Sequence, residues 1–144
     1  MLAEIRECVE RHGLRNFLFR SDLFTQNARW VRRLCEAILD AGLRIAWAAN
    51  ARVDTVDAET LRWMKRAGCW IMSFGVESGD QLTLDRLQKN ATVAEAHRAV
   101  ALCREAGIKS SVYLLMGLPW DTQESIEALI AFARELDPDI VEFF

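Results

Sequence analysis

No apolar run in the 144 residues is long enough to cross a bilayer, and the N-terminus lacks the apolar core of a signal peptide. A cytoplasmic location, away from membranes, is therefore expected. Long basic runs are missing too, and the net charge is −3. That removes a general attraction to nucleic acid or to anionic membranes. There is no Cys-x-x-Cys pair, and no histidine stands at metal-ligand spacing from a cysteine. The four cysteines, Cys8, Cys35, Cys69 and Cys103, are far apart and are expected as buried free thiols, with no metal ligand among them. Histidine occurs twice, at His12 and His97, each in polar helical surroundings that suit a surface position better than a catalytic pair. No linker or low-complexity stretch divides the chain. One domain over residues 1–144 is the expectation, and the length suffices for a real core.

What the chain does have is one phrase repeated: an amphipathic helix, a glycine that ends it, then an apolar strand. It runs Glu7 to Gly13 before Leu14 to Phe19, and Trp30 to Gly42 before Leu43 to Ala49. It returns as Leu61 to Gly68 before Cys69 to Val76, and as His97 to Gly107 before Ile108 to Met116. A last copy, Ile126 to Leu136, stops at Asp137-Pro138 and leads into Ile140 to Phe144. The helices rest on stripes at intervals of three and four, such as Trp30, Val31, Leu34, Cys35, Ile38 and Leu39. Thr92 with Glu95 fits a capping box, Asp121 with Glu124 an aspartate version of it, and Asp57 and Thr25 fit N-caps. Asp80 to Asn90 is a longer connection, expected to hold a short extra helix. Strands and helices in this alternation imply an α/β fold with about five parallel strands and right-handed crossovers. Period alone leaves open whether the sheet curves as part of a barrel or twists open.

The polar residues gather at strand ends. In Trp70 to Gly79, alternation puts Met72, Phe74 and Val76 on one face and Ser73, Gly75 and Glu77 on the other. The second face is small and polar, and its strand stops at a carboxylate followed by Ser78-Gly79. Parallel α/β folds bind ligands at the carboxyl ends of their strands. The other strands end Arg20-Ser21-Asp22, Asn50-Ala-Arg52-Val-Asp54 and Gly117-Leu-Pro119-Trp120. Converging carboxylates, a guanidinium, an amide and glycine-exposed backbone suit a zwitterionic or polyhydroxyl ligand. Plainer roles stand beside this one. Asp22 fits a helix cap, Arg52 a structural ion pair with Glu77 or Asp22, Asp54 and Asp57 turn and cap positions, and Gly117 to Trp120 a structural turn.

Taken in order, Phe19 to Asn27, Trp47 to Asp54, Phe74 to Gly79 and Gly117 to Thr122 resemble the radical S-adenosylmethionine (SAM) superfamily, in the branch often fused to a cobalamin-binding domain. The resemblance covers about Phe17 to the C-terminus. It implies a partial (β/α) TIM-like barrel of which this chain supplies the second to sixth units. It implies SAM as cofactor, chelated to a four-iron–four-sulfur cluster and cleaved to a deoxyadenosyl radical, with cobalamin as an optional further cofactor. By the same resemblance Ser21 and Asp22 lie near the methionyl amine, Asn50 and Arg52 near the SAM carboxylate or substrate, Glu77 and Ser78 at the ribose, and Gly117 and Pro119 at the adenine. Relatives carry two aspartates where this chain has Ser21-Asp22. The Cys-x-x-x-Cys-x-x-Cys loop that binds the cluster is missing, so the chain reads as a core fragment whose partner is the N-terminal part of the same barrel, and whether it is itself an enzyme stays open. Without that part, exposed sheet edges imply self-association. The substrate, a small molecule, is not specified by these residues. Two other readings remain: a non-catalytic remnant or interaction module that keeps the half-barrel scaffold, and a TIM-type lyase or aldolase fragment. The second lacks a lysine or histidine at a strand end.

Overall fold

The structure is a computed structural model that describes residues 1–21 and 23–144. The chain runs α1 (Leu2–His12), β1 (Asn16–Phe19), α2 (Ala28–Asp40), β2 (Ala46–Ala51), a 3-10 turn (Val53–Thr55), α3 (Ala58–Arg66) and β3 (Cys69–Glu77). It continues through α4 (Gln81–Arg86), α5 (Val93–Ala106), β4 (Lys109–Leu114), α6 (Gln123–Leu136) and β5 (Ile140–Phe143). The short extra helix expected between Asp80 and Asn90 is α4.

All five strands are parallel, and their order across the sheet is their order in sequence. This settles what periodicity left open. When each right-handed crossover steps to the next strand in the same direction, every connecting helix falls on one face, as in a barrel wall. The five strands do not close on themselves.

Burial follows that arrangement. Trp47, Ala49, Ala51, Met72, Phe74, Val76, Val112 and Leu114 point into one core with Val31, Ile38, Leu61, Met64, Val100 and Phe132 from the helices. Trp47 is fully buried, and its indole N–H donates to the Ala67 carbonyl at 2.8 Å, so its burial strands no donor. On the opposite face Ala46, Ala48, Asn50, Ser73, Gly75 and Tyr113 are only half-buried, and Leu18 and Ile140 are exposed. A parallel sheet normally has both faces covered; here the second face is a partly open floor, with Ile71 and Ser111 buried on it.

Local chemistry sets the boundaries. Asp57 caps α3 by accepting from the Thr60 N–H at 2.9 Å, and Thr92 with Glu95 forms the expected capping box on α5. Two caps differ from expectation. Asn27, not Thr25, caps α2, accepting from the Trp30 N–H at 3.0 Å. Thr25 is buried and shares a 2.7 Å hydrogen bond with the Thr55 hydroxyl. The capping box of α6 is Thr122 with Ser125, one residue later than Asp121 with Glu124, because Asp121 is engaged in closing the preceding turn. No described helix is long and apolar enough to cross a membrane.

Candidate functional site

The carboxyl end of β3 is built by a backbone distortion. Gly75 pairs with Tyr113 but Glu77 pairs with Leu114, so one extra residue is inserted in β3. Glu77 then takes φ +69°, and the Ser78 N–H donates to the Val76 carbonyl at 2.9 Å, closing a three-residue turn around Glu77. A non-glycine residue held there costs about 1–3 kcal/mol, and such strain concentrates at functional sites. The Glu77 carbonyl stays in the sheet, accepting from the Leu115 N–H at 2.8 Å. The distortion therefore redirects the side chain without releasing the strand.

The redirected carboxylate folds back over Gly75. A Cβ at Gly75 would lie 2.7 Å from Glu77 Oε1 and 3.1 Å from Lys89 Nζ. The missing side chain is what makes room. Lys89 Nζ donates to Glu77 Oε1 at 2.5 Å, with both side chains half-buried. Lys89 comes from the α4–α5 connection, directly after the residues that close α4, where Lys89 N–H donates to the Leu84 carbonyl. Sequence reading missed this residue. The available hint was the polar run Gln88-Lys89-Asn90 behind a short helix, and the absence of a lysine at strand ends does not hold once the loop folds inward.

At the end of β2, Asn50 is half-buried on the partly open floor, level with Ser73. Arg52 is half-buried and binds Asp54 bidentately, Nε to Oδ1 at 2.9 Å and Nη2 to Oδ2 at 3.0 Å. Among the described residues its ion-pair partner is thus Asp54, not Glu77, and the Asp22 alternative lies outside them. The pairing holds the Asp54 carboxyl below its ordinary range and pushes the Arg52 guanidinium further up. Arg52 Nη2 also donates to the Lys89 carbonyl at 3.2 Å and the Asn90 carbonyl at 2.9 Å. Arg52 therefore meets Glu77 only through the loop that carries Lys89.

Ser78 is buried, and its Oγ accepts from the Asp80 N–H at 3.1 Å. Beyond β4, Gly117 has φ +89° with open space around it, and Pro119 is exposed. Asp121 Oδ2 accepts from the Gly117 and Leu118 N–H groups at 2.8 and 2.9 Å. A cavity of about 240 Å³ opens between this turn, the start of α4 and α6, lined by Ser78, Gly79, Leu115, Leu118, Asp121 and Leu129. Glu77, Ser78, Gly117 and Pro119 thus belong to adjoining strand ends. Ser21 is exposed past the end of β1, two strands away across the sheet, and Asp22 lies outside the described residues.

The cysteines are elsewhere. Cys35, Cys69 and Cys103 are buried in the helix–sheet core and Cys8 is half-buried on α1. Burial pushes the thiols of Cys35 and Cys103 up to about 12 and that of Cys69 up as well. Among the described residues no three His, Cys, Asp or Glu side chains cluster as a metal site.

The family model described as "Radical SAM superfamily" matches residues 1–133. The chain belongs to the radical SAM superfamily. Within it, the chain is 32% identical over 132 residues to an uncharacterized methyltransferase of Pyrococcus horikoshii, covering 92% of this chain and 29% of that protein. It is 33% identical over 144 residues to an anaerobic magnesium-protoporphyrin IX monomethyl ester cyclase of Cereibacter sphaeroides, covering 97% of this chain and 24% of the cyclase. A structure of the radical SAM methyltransferase TsrM from Kitasatospora setae, with cobalamin and a [4Fe-4S] cluster bound, superposes with TM-score 0.80 at 23% identity. That superposition covers 99% of this chain and 30% of TsrM. It identifies the fold of this radical SAM chain as the partial barrel expected from the sequence. The chain spans under a third of the length of each of these proteins.

Proposed function

We propose that residues 1–144 form the SAM-binding portion of a radical SAM enzyme, contributing the second to sixth β/α units of its partial barrel. The observation that carries this reading is the Glu77 carboxylate, turned over Gly75 by a strained turn and held by Lys89. A carboxylate fixed at a strand end accepts from the two hydroxyls of a ribose, and Ser78 stands next to it. Lys89 and Asn50 supply donors for the carboxylate of an amino-acid tail. Ser21 and Asp22 are assigned to its amine. Gly117 and Pro119, beside the cavity that Leu115, Leu118 and Leu129 line together with Ser78 and Asp121, are assigned to the adenine. The donor set therefore fits a nucleoside carrying a zwitterionic tail.

An iron–sulfur cluster does not fit the residues present. Three of the four thiols are buried in the core and held protonated, and none lies at the carboxyl end of a strand. The cluster's ligands are therefore assigned outside these residues, and the part of this chain is to bind and orient SAM. Likeness to a cobalamin-bound methyltransferase supports the cobalamin-associated branch, and no residue here is assigned to cobalamin. The exposed Leu18, Ile140 and Phe143 on the edge strands support self-association of the isolated chain.

Titration of SAM into the chain, followed by calorimetry, tests the proposal. Saturable binding is expected, and Glu77→Gln should weaken it by roughly 10- to 100-fold, the value of hydrogen bonds to a charged acceptor. No binding, or binding indifferent to Glu77→Gln, would instead favour a scaffold that has lost its cofactor.

A further inference from the structure

We infer that Arg52 is a positioning residue, acting on the bound cofactor through Lys89 rather than touching it; this rests on the SAM-binding reading of the Glu77 site. The sequence placed Arg52 as a direct contact because it stands at a strand end with a guanidinium suited to carboxylates. The geometry directs that fork elsewhere. One edge of the guanidinium, Nε with Nη2, is occupied by Asp54, and Nη2 reaches on to the carbonyls of Lys89 and Asn90.

The loop it grips is one that needs gripping. Gln88 and Asn90, on either side of Lys89, have φ +52° and +48°. Neither is glycine, so each is held in a sparsely populated conformation that persists only where surroundings over-determine it. One kind of support is local: the Lys89 N–H donates to the Leu84 carbonyl at 3.0 Å where α4 closes, and the Asn90 amide donates to the Gln88 carbonyl at 3.2 Å. The other is Arg52, which ties the loop to the end of β2. Asp54 fixes the guanidinium in turn, and the pair is only about 30% exposed. Asp54, Arg52, the loop, Lys89 and Glu77 thus form one continuous chain from the end of β2 to the end of β3. Lysine cannot replace Arg52 fully, since a point-like ammonium lacks the planar fork that meets a carboxylate and two carbonyls together.

The chain has three lysines, Lys65, Lys89 and Lys109, so isotope-labelled dimethyl-lysine NMR gives a separate signal for each. Glu77→Gln defines the signal of an unpaired Lys89. In Arg52→Ala the Lys89 signal is expected to move to that position, with Lys65 and Lys109 unmoved, and Arg52→Lys is expected to restore it in part. SAM affinity should fall about tenfold in Arg52→Ala and recover partly in Arg52→Lys, tracking the Lys89 signal. A Lys89 signal unchanged in Arg52→Ala would overturn the inference. So would a displaced Lys89 with SAM affinity intact. Should the alanine variant fail to fold, Asp54→Asn loosens the same guanidinium and must displace the Lys89 signal in the same direction. The NMR readout needs no SAM, so failure of the wild-type chain to bind SAM would refute the cofactor reading and remain distinguishable from failure of the positioning chain.

Discussion

Substituting Gly75 by alanine separates the site from the fold. The backbone at Gly75 is not left-handed, so alanine is conformationally acceptable there. The new methyl, however, would lie 2.7 Å from Glu77 Oε1 and 3.1 Å from Lys89 Nζ. The first contact is too close for any carbon and oxygen, so the carboxylate must swing away and the 2.5 Å Glu77–Lys89 contact must lengthen. The stability cost is small. The pair retains some solvent access, and such pairs are worth up to about 1 kcal/mol. Replacing glycine by alanine restricts the unfolded chain and returns about 0.4–1 kcal/mol. The two nearly cancel. Binding is different, because a displaced carboxylate forfeits charge-assisted hydrogen bonds of about 1.5–3 kcal/mol, or roughly 10- to 100-fold in Kd. Gly75→Ala should therefore unfold in urea at nearly the wild-type midpoint while losing most of its SAM affinity by calorimetry. Retention of affinity within about twofold of wild type at wild-type stability would refute the assignment of the Glu77 carboxylate, as placed over Gly75, to the ligand, since any hydrogen bond of this class exceeds that factor.

Other substitutions probe the same architecture. Glu77→Gly should relieve the positive φ at that position and keep or raise thermal stability by up to about 1 kcal/mol while abolishing SAM binding; a clear drop in Tm would show that the Lys89 pair outweighs the strain. Gly79→Ala should destabilise, because its Cβ would fall 2.2 Å from the Phe132 ring. A loss of about 1–3 kcal/mol in urea unfolding is expected from such overpacking, and an unchanged midpoint would contradict the close packing of Phe132 on that turn. Acid sensitivity follows from three carboxyls held below their ordinary range. Asp54 is lowered by its hydrogen bond from Arg52 and Asp80 by that from Thr83; burial pushes Asp57 up, but the Thr60 hydrogen bonds and the Arg32 charge bring it down. A depressed carboxyl lends stability that is complete above its unfolded value of about 3.9 and disappears as pH falls through its folded value. Tm should thus hold from neutral pH to about 5 and fall below about 4, and Asp54→Asn should flatten part of that fall in a pH series of thermal melts.

The periodic stripe on α2, the glycines after α1 and α5 and the capping box at Thr92 are local signals. Each depends on residues within one or two turns, so the alternation of helices and strands, the parallel sheet and the strand-end location of Glu77 were all readable in the chain. The strand-end motifs also carried the family. Periodicity alone did not settle sheet order, because a right-handed crossover can step to either neighbour; the partial barrel came from the resemblance, and the assembled sheet bears it out with five strands in sequence order.

Glu77 marks the division between the two sources most clearly. Its position at the end of an apolar strand followed from residues 70–79 alone. Its orientation came from a one-residue insertion relative to β4, a contact across 37 residues of sequence between Glu77 and Leu114. Its partner Lys89 and the Arg52 that steadies it come from two other connections. Sequence spacing fixes which face a side chain takes within its own element, through the local periods of helix and strand. Pairings between loops that are distant in sequence depend on where the whole sheet places them, and only the tertiary structure brought Lys89 to Glu77 and the Arg52 guanidinium to the Lys89 and Asn90 carbonyls.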